Sequence, residues 1–94
     1  MSLEATILSN LIFNEKYARK VLPFIKSDYF NERTYRIVFL EIHEYISQYD
    51  SLPSLNAISI ECQERTDLTE EGYKDIVALL QTLSTEKSDY DWLV

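Results

Sequence analysis

The 94-residue chain is poor in residues that form crosslinks, metal sites and turn-rich folds, with one Cys, one His, one Gly and two Pro. A single cysteine excludes an internal disulfide and a zinc site built from cysteines. A single histidine, His43, excludes the H-E-x-x-H pattern of a zinc-binding helix. A single glycine, Gly72, excludes the glycine-rich loops G-x-x-x-x-G-K-[ST] and G-x-G-x-x-G. We therefore predict no catalytic, cofactor-binding or metal site in these residues.

The chain also lacks a long apolar run and an opening signal sequence, so we expect no membrane contact and an intracellular setting. Basic residues are scarce in its second part. Residues 1–40 hold six basic and four acidic residues, whereas residues 41–94 hold three basic and twelve acidic, for a total of −7. This acidity should repel phosphate backbones, so we expect no direct nucleic-acid binding. It is typical of a solvated surface, with docking of a basic partner as the alternative.

The stretch at residues 31–50, NERTYRIVFLEIHEYISQYD, carries the strongest pattern. Its apolar residues recur at three- and four-residue steps, which is the spacing of one helical face. The stripe comprises Tyr35, Val38, Phe39, Ile42, Tyr45, Ile46 and Tyr49, and Ile37 and Leu40 widen it. Asn31 is a suitable N-cap, and Pro53 cannot continue the helix. We predict a central helix at residues 32–49 that is covered on more than one side.

Further amphipathic segments flank the central helix, each preceded by a residue that can cap it. The predicted caps are Ser2, Asn14, Ser54 and Thr69. Pro23 should end or kink the second helix. Residues 27–30 form a short connector, and its aromatic side chains, Tyr29 and Phe30, are expected to insert into the core.

The last residues predict a break and then one more helix. A polar linker is expected at residues 84–87, and Ser88 with Asp91 resembles a capping box that opens a sixth helix. The predicted fold class is all-α, a small bundle of five to six short helices around the central helix. Residues 1–94 should form a single helical domain.

Several side chains are of types found in catalytic or metal sites, but a structural role explains each of them more simply. Cys62 lies on an apolar helix face, and no histidine is near it in sequence, so we expect a buried thiol rather than a nucleophile. The neighbouring Glu61 and Glu64 should raise its pKa. The carboxylate pairs Glu41–Glu44 and Glu61–Glu64 are typical of surface charge. His43 should lie on a solvated flank of the central helix.

The basic residues and the tyrosines each have two possible interpretations. The basic cluster around the second helix is expected to be solvated, with contact to an acidic neighbour as the alternative. It comprises Lys16, Arg19, Lys20 and Lys26. Four of the seven tyrosines fall on apolar stripes, which favours the core or an interface over base stacking. They are Tyr35, Tyr45, Tyr49 and Tyr73.

Four segments together resemble the amino-terminal domain of the replicative DNA helicases of T-even-like phages, which belong to the DnaB-like class. In chain order they are EATILSNLIF at 4–13, SDYF at 27–30, SLPSLNAISIE at 51–61 and DYDWLV at 89–94. The runs PSLNA at 53–57 and WLV at 92–94 are the most specific. Similarity to bacterial DnaB is looser and lies in the connector, the central helix and the proline after it.

The resemblance implies a helical head, DnaB N-terminal-domain-like, within the collar of a hexameric helicase. In that family the head contributes to hexamer assembly and faces primase or helicase-loader proteins. The implied role is a non-catalytic assembly and partner-docking domain that acts in DNA replication, in the cytoplasm of an infected bacterial host. ATP and Mg are expected only at the motor domain of an ATP-dependent parent, and no family catalytic residue has a position in this chain.

The chain is expected to be a fragment of a longer helicase, in which residues 88–94 lead to a helical hairpin and the motor. Its closing apolar residues are the candidate interface: Tyr90, Trp92, Leu93 and Val94. The isolated chain should then be a monomer or weak dimer, and the parent a hexamer. The alternative is a stand-alone helical adaptor or regulatory protein-interaction module with the same core. A small enzyme is a third, remote possibility.

Overall fold

The computed structural model describes the backbone of residues 3–93 and the side chains of residues 3–83. Five α-helices follow one another along the chain: α1 (Leu3–Phe13), α2 (Glu15–Val21), α3 (Arg33–Tyr49), α4 (Leu55–Gln63) and α5 (Glu70–Leu93). Two 3-10 turns, Leu22–Phe24 and Ser27–Tyr29, join α2 to α3. The described backbone contains no strand, so the predicted all-α class is confirmed.

The α3 helix is the centre of the bundle, because α1, α4, α5 and the second 3-10 turn all pack against it. Its middle residues Val38, Phe39 and Ile42 are at most 2% exposed. Full burial of one such side chain contributes about 1.5–3 kcal/mol. The predicted central helix and the middle of its stripe are therefore confirmed.

The predicted stripe is wrong at two positions, Leu40 and Tyr49, which are both exposed. Leu40 lies two residues before Ile42 and hence about 200° around the helix from it, so the neighbours that cover Ile42 leave Leu40 outside. Tyr49 is the last residue of α3, where the chain turns away toward α4.

One continuous core joins all five helices and the connector. Its members are apolar residues from the predicted helix faces together with Ala18, which the sequence pattern did not predict. They are Ala5, Leu8, Leu11, Ile12, Ala18, Leu22, Phe30, Ile37, Val38, Phe39, Ile42, Ile58, Cys62, Ile76, Leu79, Leu80 and Leu83.

Three of the predicted N-caps are confirmed by side-chain hydrogen bonds. Asn14 Oδ1 accepts from the Tyr17 amide at 3.1 Å, Ser54 Oγ from the Ala57 amide at 3.0 Å, and Thr69 Oγ1 from the Gly72 amide at 3.0 Å. Each bond satisfies a first-turn amide that has no partner within the helix. The predicted cap Ser2 lies outside the described residues.

The predicted Asn31 cap is wrong. The N-cap of α3 is Glu32, and its side chain makes no capping bond. A capping side chain bonds the amide two or three residues beyond its own position, so Asn31, one residue further out, is badly placed to do so. The start of α3 is instead tied by Arg33, whose Nη2 donates to the Asp67 carbonyl at 3.0 Å.

The predicted linker at residues 84–87 and the separate sixth helix are also wrong, because α5 runs without a break from Glu70 to Leu93. Ser, Thr, Glu and Lys contain no helix breaker, and their helix propensities fall within about 0.7 kcal/mol of alanine. A capping box begins a helix only where its first residue has an extended backbone, and here the backbone stays helical. The bundle thus has five helices, and its last helix is long.

The connector between α2 and α3 matches the prediction only in part. Phe30 is buried, with its ring centroid 5.2 Å from that of Phe39. Tyr29 was expected in the core, but it is exposed, since it ends a 3-10 turn whose next residue takes the inward position. Pro23 lies within the first 3-10 turn, directly after α2, as predicted.

Candidate functional site

A carboxylate on the inner side of α3, Glu41, is held by Arg65 from the turn after α4. Arg65 Nη1 donates to Glu41 Oε1 at 2.7 Å, while its Nε and Nη2 donate to the two carboxylate oxygens of Asp67 at 2.9 and 2.7 Å. Glu41 is only 8% exposed, so its predicted role as surface charge is wrong. A charged group at this depth requires such a partner.

This network connects the start of α3 to the turn between α4 and α5. Arg33 Nη2 lies 3.6 Å from the Asp67 carboxylate, which therefore faces two guanidinium groups. The hydrogen bond from Arg65 lowers the pKa of Asp67 below its ordinary value. Two arginines and two carboxylates balance one another, which favours a structural rather than a catalytic role.

The thiol of Cys62 lies beneath the same turn. Its burial, and secondarily the charge of Glu41, raises the pKa of this thiol to about 12. The thiol is therefore neutral near pH 7 and is a poor nucleophile. The predicted buried structural cysteine is confirmed. Of the two carboxylates expected to raise the pKa, Glu61 contributes, but Glu41 has the larger effect.

His43 lies on the exposed flank of α3, as predicted, with its ring centroid 6.0 Å from that of Phe39. Across the residues with described side chains, no group of three or more His, Cys, Asp or Glu is arranged to hold a metal ion. None of the described helices has both the length and the apolar character needed to cross a membrane.

The basic cluster around α2 divides into Arg19, which forms ion pairs, and three lysines that form none among the described side chains. Arg19 donates to Glu15 at 3.1 Å and to the carboxylate and the carbonyl of Asp50 at 3.1 and 3.0 Å. Asp50 is the C-cap of α3 and has a left-handed backbone, with φ 52°. Because Arg19 bonds both groups of Asp50, it ties α2 to the end of α3. In the described part of the structure Lys16, Lys20 and Lys26 form no ion pair, so the acidic-neighbour alternative holds for Arg19 alone.

Two aromatic side chains in the connector are directed to solvent, Phe24 at 75% and Tyr29 at 60% exposure. Lys20 precedes them, and Lys26 lies between them. Large exposed aromatic groups are typical of protein-interaction surfaces.

A second region with an exposed aromatic side chain lies between the last turns of α3 and α4. A small cleft there is lined by Glu41, Glu44, Tyr45, Gln48, Tyr49 and Glu61. The rings of Tyr45 and Tyr49 lie 4.6 Å apart, and Tyr49 is 55% exposed. Ile60, beside Glu61 on α4, is 47% exposed. We call Glu44, Tyr45, Tyr49, Ile60 and Glu61 the acidic edge.

The interface residues predicted from the sequence are Tyr90, Trp92, Leu93 and Val94. The first three lie along α5, but their side chains, and the whole of Val94, are outside the described residues. That interface therefore stays a prediction.

A family model of the DnaB-like helicase N-terminal domain matches residues 1–90, which is nearly the whole bundle. The chain belongs to this family. It is also 35% identical over 88 residues to a DnaB-like replicative helicase of Enterobacteria phage T4. The aligned residues make up 94% of this chain but only 18% of that relative's length.

The DnaB-like domain thus has the fold class and the phage relationship that the sequence segments predicted. The T4 relative is described as a replicative helicase, and the present chain spans less than a fifth of that protein. Family membership therefore describes the N-terminal domain alone.

Sequence reasoning missed three features of this DnaB-like domain: the Glu41–Arg65 pair and the exposed Phe24 and Tyr29. A signal for the first was present, because Glu41 lies three residues after Val38 on the apolar face and needs a partner there. The two aromatic residues carried no signal, because an apolar residue in a short turn is equally compatible with burial and exposure.

Proposed function

We propose that this chain is the non-catalytic assembly and partner-docking domain of a phage replicative DNA helicase that acts in DNA replication. The observation that carries the proposal is the match of residues 1–90 to the DnaB-like helicase N-terminal domain, in a chain without a glycine-rich nucleotide loop. ATP and Mg belong, in this proposal, to a motor domain elsewhere in the parent protein.

The surface of the domain supports docking. Phe24 and Tyr29 before α3, and Tyr49 and Ile60 on α3 and α4, are large apolar side chains exposed to solvent. Two groups with possible chemistry are not available to a substrate. The Cys62 thiol is buried, and Arg65 is paired with two carboxylates. Such a surface fits protein contacts better than substrate turnover.

The partners in this proposal are other helicase subunits and either a primase or a helicase loader, within the cytoplasm of an infected bacterium. The parent is an ATP-dependent hexamer. The acidic balance of residues 41–94 supports protein partners over direct nucleic-acid contact.

A binding experiment with purified phage proteins tests the docking role. The immobilised 94-residue chain is offered primase, loader and the helicase motor domain separately, and at least one should be retained with saturable affinity. A variant with Phe24→Ser and Tyr29→Ser tests whether the exposed aromatic side chains contribute to retention. Lys74→Ser, at an exposed position elsewhere, is its control. If none of the three proteins is retained, the docking role is wrong.

A further inference from the structure

The exposed side chains that follow α2 form one continuous surface. Lys20 and Phe24 are four residues apart on a backbone that stays helical from α2 into the first 3-10 turn, so both lie on the same side. Ile25 is extended and packs against the core, so its neighbours Phe24 and Lys26 point away from the core. The Tyr29 amide donates to the Lys26 carbonyl at 3.0 Å, and side chains three residues apart in a 3-10 turn eclipse each other. We call Lys20, Phe24, Lys26 and Tyr29 the connector surface.

The connector surface has an excess of positive charge. None of the ion pairs among the described side chains includes Lys20 or Lys26, or Lys16, which lies one helical turn before Lys20. The one acidic residue between Lys20 and Tyr29 is Asp28. It lies about 120° around the second 3-10 turn from Tyr29 and therefore projects to a different side.

The carboxylates of the acidic edge lie across α3 from the connector. The second 3-10 turn is held against α3 by the contact between the rings of Phe30 and Phe39, whose centroids are 5.2 Å apart. At about 100° per residue, Glu44 and Gln48 of the acidic cleft lie about 140° and 180° around α3 from Phe39. Arg19 ties α2 to the acidic end of α3. The acidic edge therefore opposes the charge of α2 more than that of the connector.

We propose that the connector surface binds an acidic, apolar segment of a partner protein. Carboxylates of the segment pair with Lys20 and Lys26, and its large apolar side chains pack on Phe24 and Tyr29. This inference rests on the docking role proposed above and names the chemistry of the segment that docks. Aromatic side chains commonly carry most of the binding energy of an interface, while the surrounding charges select the partner and fix its register.

The dimensions of the surface suit a short segment. Its neighbouring members are about 5–7 Å apart, so the whole surface is at most about 20 Å long. An extended segment of about six residues covers that length at about 3.3 Å per residue. Contacts of this size are weak and reversible, which is typical of docking between proteins that must also separate.

A single-stranded nucleic acid offers the same two kinds of group, phosphates for the lysines and bases for the aromatic rings. The overall charge of −7 favours the protein segment, because repulsion increases with the number of negative charges on the partner. A short segment with a few carboxylates is repelled less than an oligonucleotide with a phosphate at every position. Binding of an oligonucleotide is therefore the outcome that the test must separate.

Selection of short random peptides, displayed on yeast, against the purified 94-residue chain tests this chemistry. The selected peptides should be enriched in Asp and Glu together with Phe, Leu or Trp. In fluorescence polarisation, Lys26→Glu and Phe24→Ser should each raise the dissociation constant of a selected peptide at least about fivefold. A version of that peptide with Lys at its acidic positions should bind Lys26→Glu better than the unmodified chain, because opposite charges meet again.

Lys74→Glu on α5 and Tyr49→Ser on the acidic edge make the same kinds of change at exposed positions and serve as matched controls. Each should change the dissociation constant less than about twofold. Circular dichroism of each variant confirms that it is folded.

The inference is overturned if no acidic peptide is selected, or if the connector variants and the controls affect binding alike. It is also overturned if an oligothymidylate binds more tightly than the selected peptides and loses affinity with the same connector variants. If the chain still retains primase, loader or motor domain in any of these cases, the docking role stands and only the acidic segment is wrong.

Discussion

At the scale of single residues, the Glu41–Arg65 pair ties the turn between α4 and α5 to α3. Arg65→Ala would leave the Glu41 carboxylate nearly buried without its 2.7 Å partner. An unsatisfied charged group of this kind costs about 1–3 kcal/mol or more in the free energy of unfolding. Urea denaturation should show that loss.

Arg33→Ala provides the comparison, because it removes an exposed arm of the same network. Exposed ion pairs contribute about 0–1 kcal/mol, so this variant should lose less stability. Equal losses for the two variants would mean that the burial of Glu41 has no energetic consequence.

Two core residues of α3 should carry much of the stability. Phe39→Ala and Ile42→Ala should each reduce the free energy of unfolding by about 2–5 kcal/mol, through lost burial and the cavity left behind. Leu40→Ala lies on the exposed side of the same helix and should cost well under half as much. Thermal melts measure all three, and a loss under about 0.5 kcal/mol for either core variant would contradict the position of α3.

The Cys62 thiol gives a dependence on alkaline pH. Its pKa is raised from 9.0 to about 12 by burial, so between these values the unfolded thiol loses its proton while the folded thiol keeps it. The contribution of the group is constant below pH 9 and then falls by about 1.4 kcal/mol per pH unit as the pH rises toward 12.

Tyrosines and lysines titrate in the same range, so the informative quantity is a difference between two proteins. The slope of stability against pH above 9 should be shallower for Cys62→Ala than for the unmodified chain in denaturant titrations. Parallel slopes would show that the thiol is not protected from ionisation.

At the scale of secondary-structure elements, two predicted capping residues can be compared. Ser54 makes its capping bond in the structure, whereas Asn31 does not. Ser54→Ala removes the bond to the Ala57 amide and should cost about 0.5–2 kcal/mol. Asn31→Ala removes no capping bond and should cost little. If Asn31→Ala destabilises the protein as much as Ser54→Ala, then α3 begins one residue earlier than described.

Helices and their inner faces could be predicted because apolar spacing, caps and prolines are local signals. Pro53 and the spacing from Val38 to Ile42 were sufficient to define most of α3. The end of α5 could not be predicted in this way, because Ser84 to Lys87 are polar without being helix breakers. Polarity indicates exposure to water, which a long helix tolerates as readily as a linker does.

The candidate surfaces were less predictable than the helices. Sequence spacing places Glu41 and Tyr49 on α3, but the distance of each from water depends on how α1, α4 and α5 cover that helix. Partners such as Arg65, which lies 24 positions from Glu41, are brought together only by the tertiary fold. The charge difference between the first 40 residues and the rest was visible in the sequence, but the unpaired state of Lys26 and Glu61 required the structure.

At the scale of the whole molecule, the proposed assembly module has an overall charge of −7. This net charge opposes close packing of many free copies. Surfaces of a few side chains each are too small to hold a stable hexamer by themselves, because stable interfaces bury at least about 1,200 Å². In the proposed parent, contacts made by a following helical hairpin would add to those of the head.

The most direct test of the assembly role is the molar mass in solution, measured by light scattering. The 94-residue chain is compared with a longer stretch of the parent protein that includes the proposed hairpin. We predict a monomer or weak dimer for the 94-residue chain and a higher oligomer for the longer one. A stable hexamer from the 94 residues alone, or a longer chain that stays monomeric at the same concentration, would contradict the account.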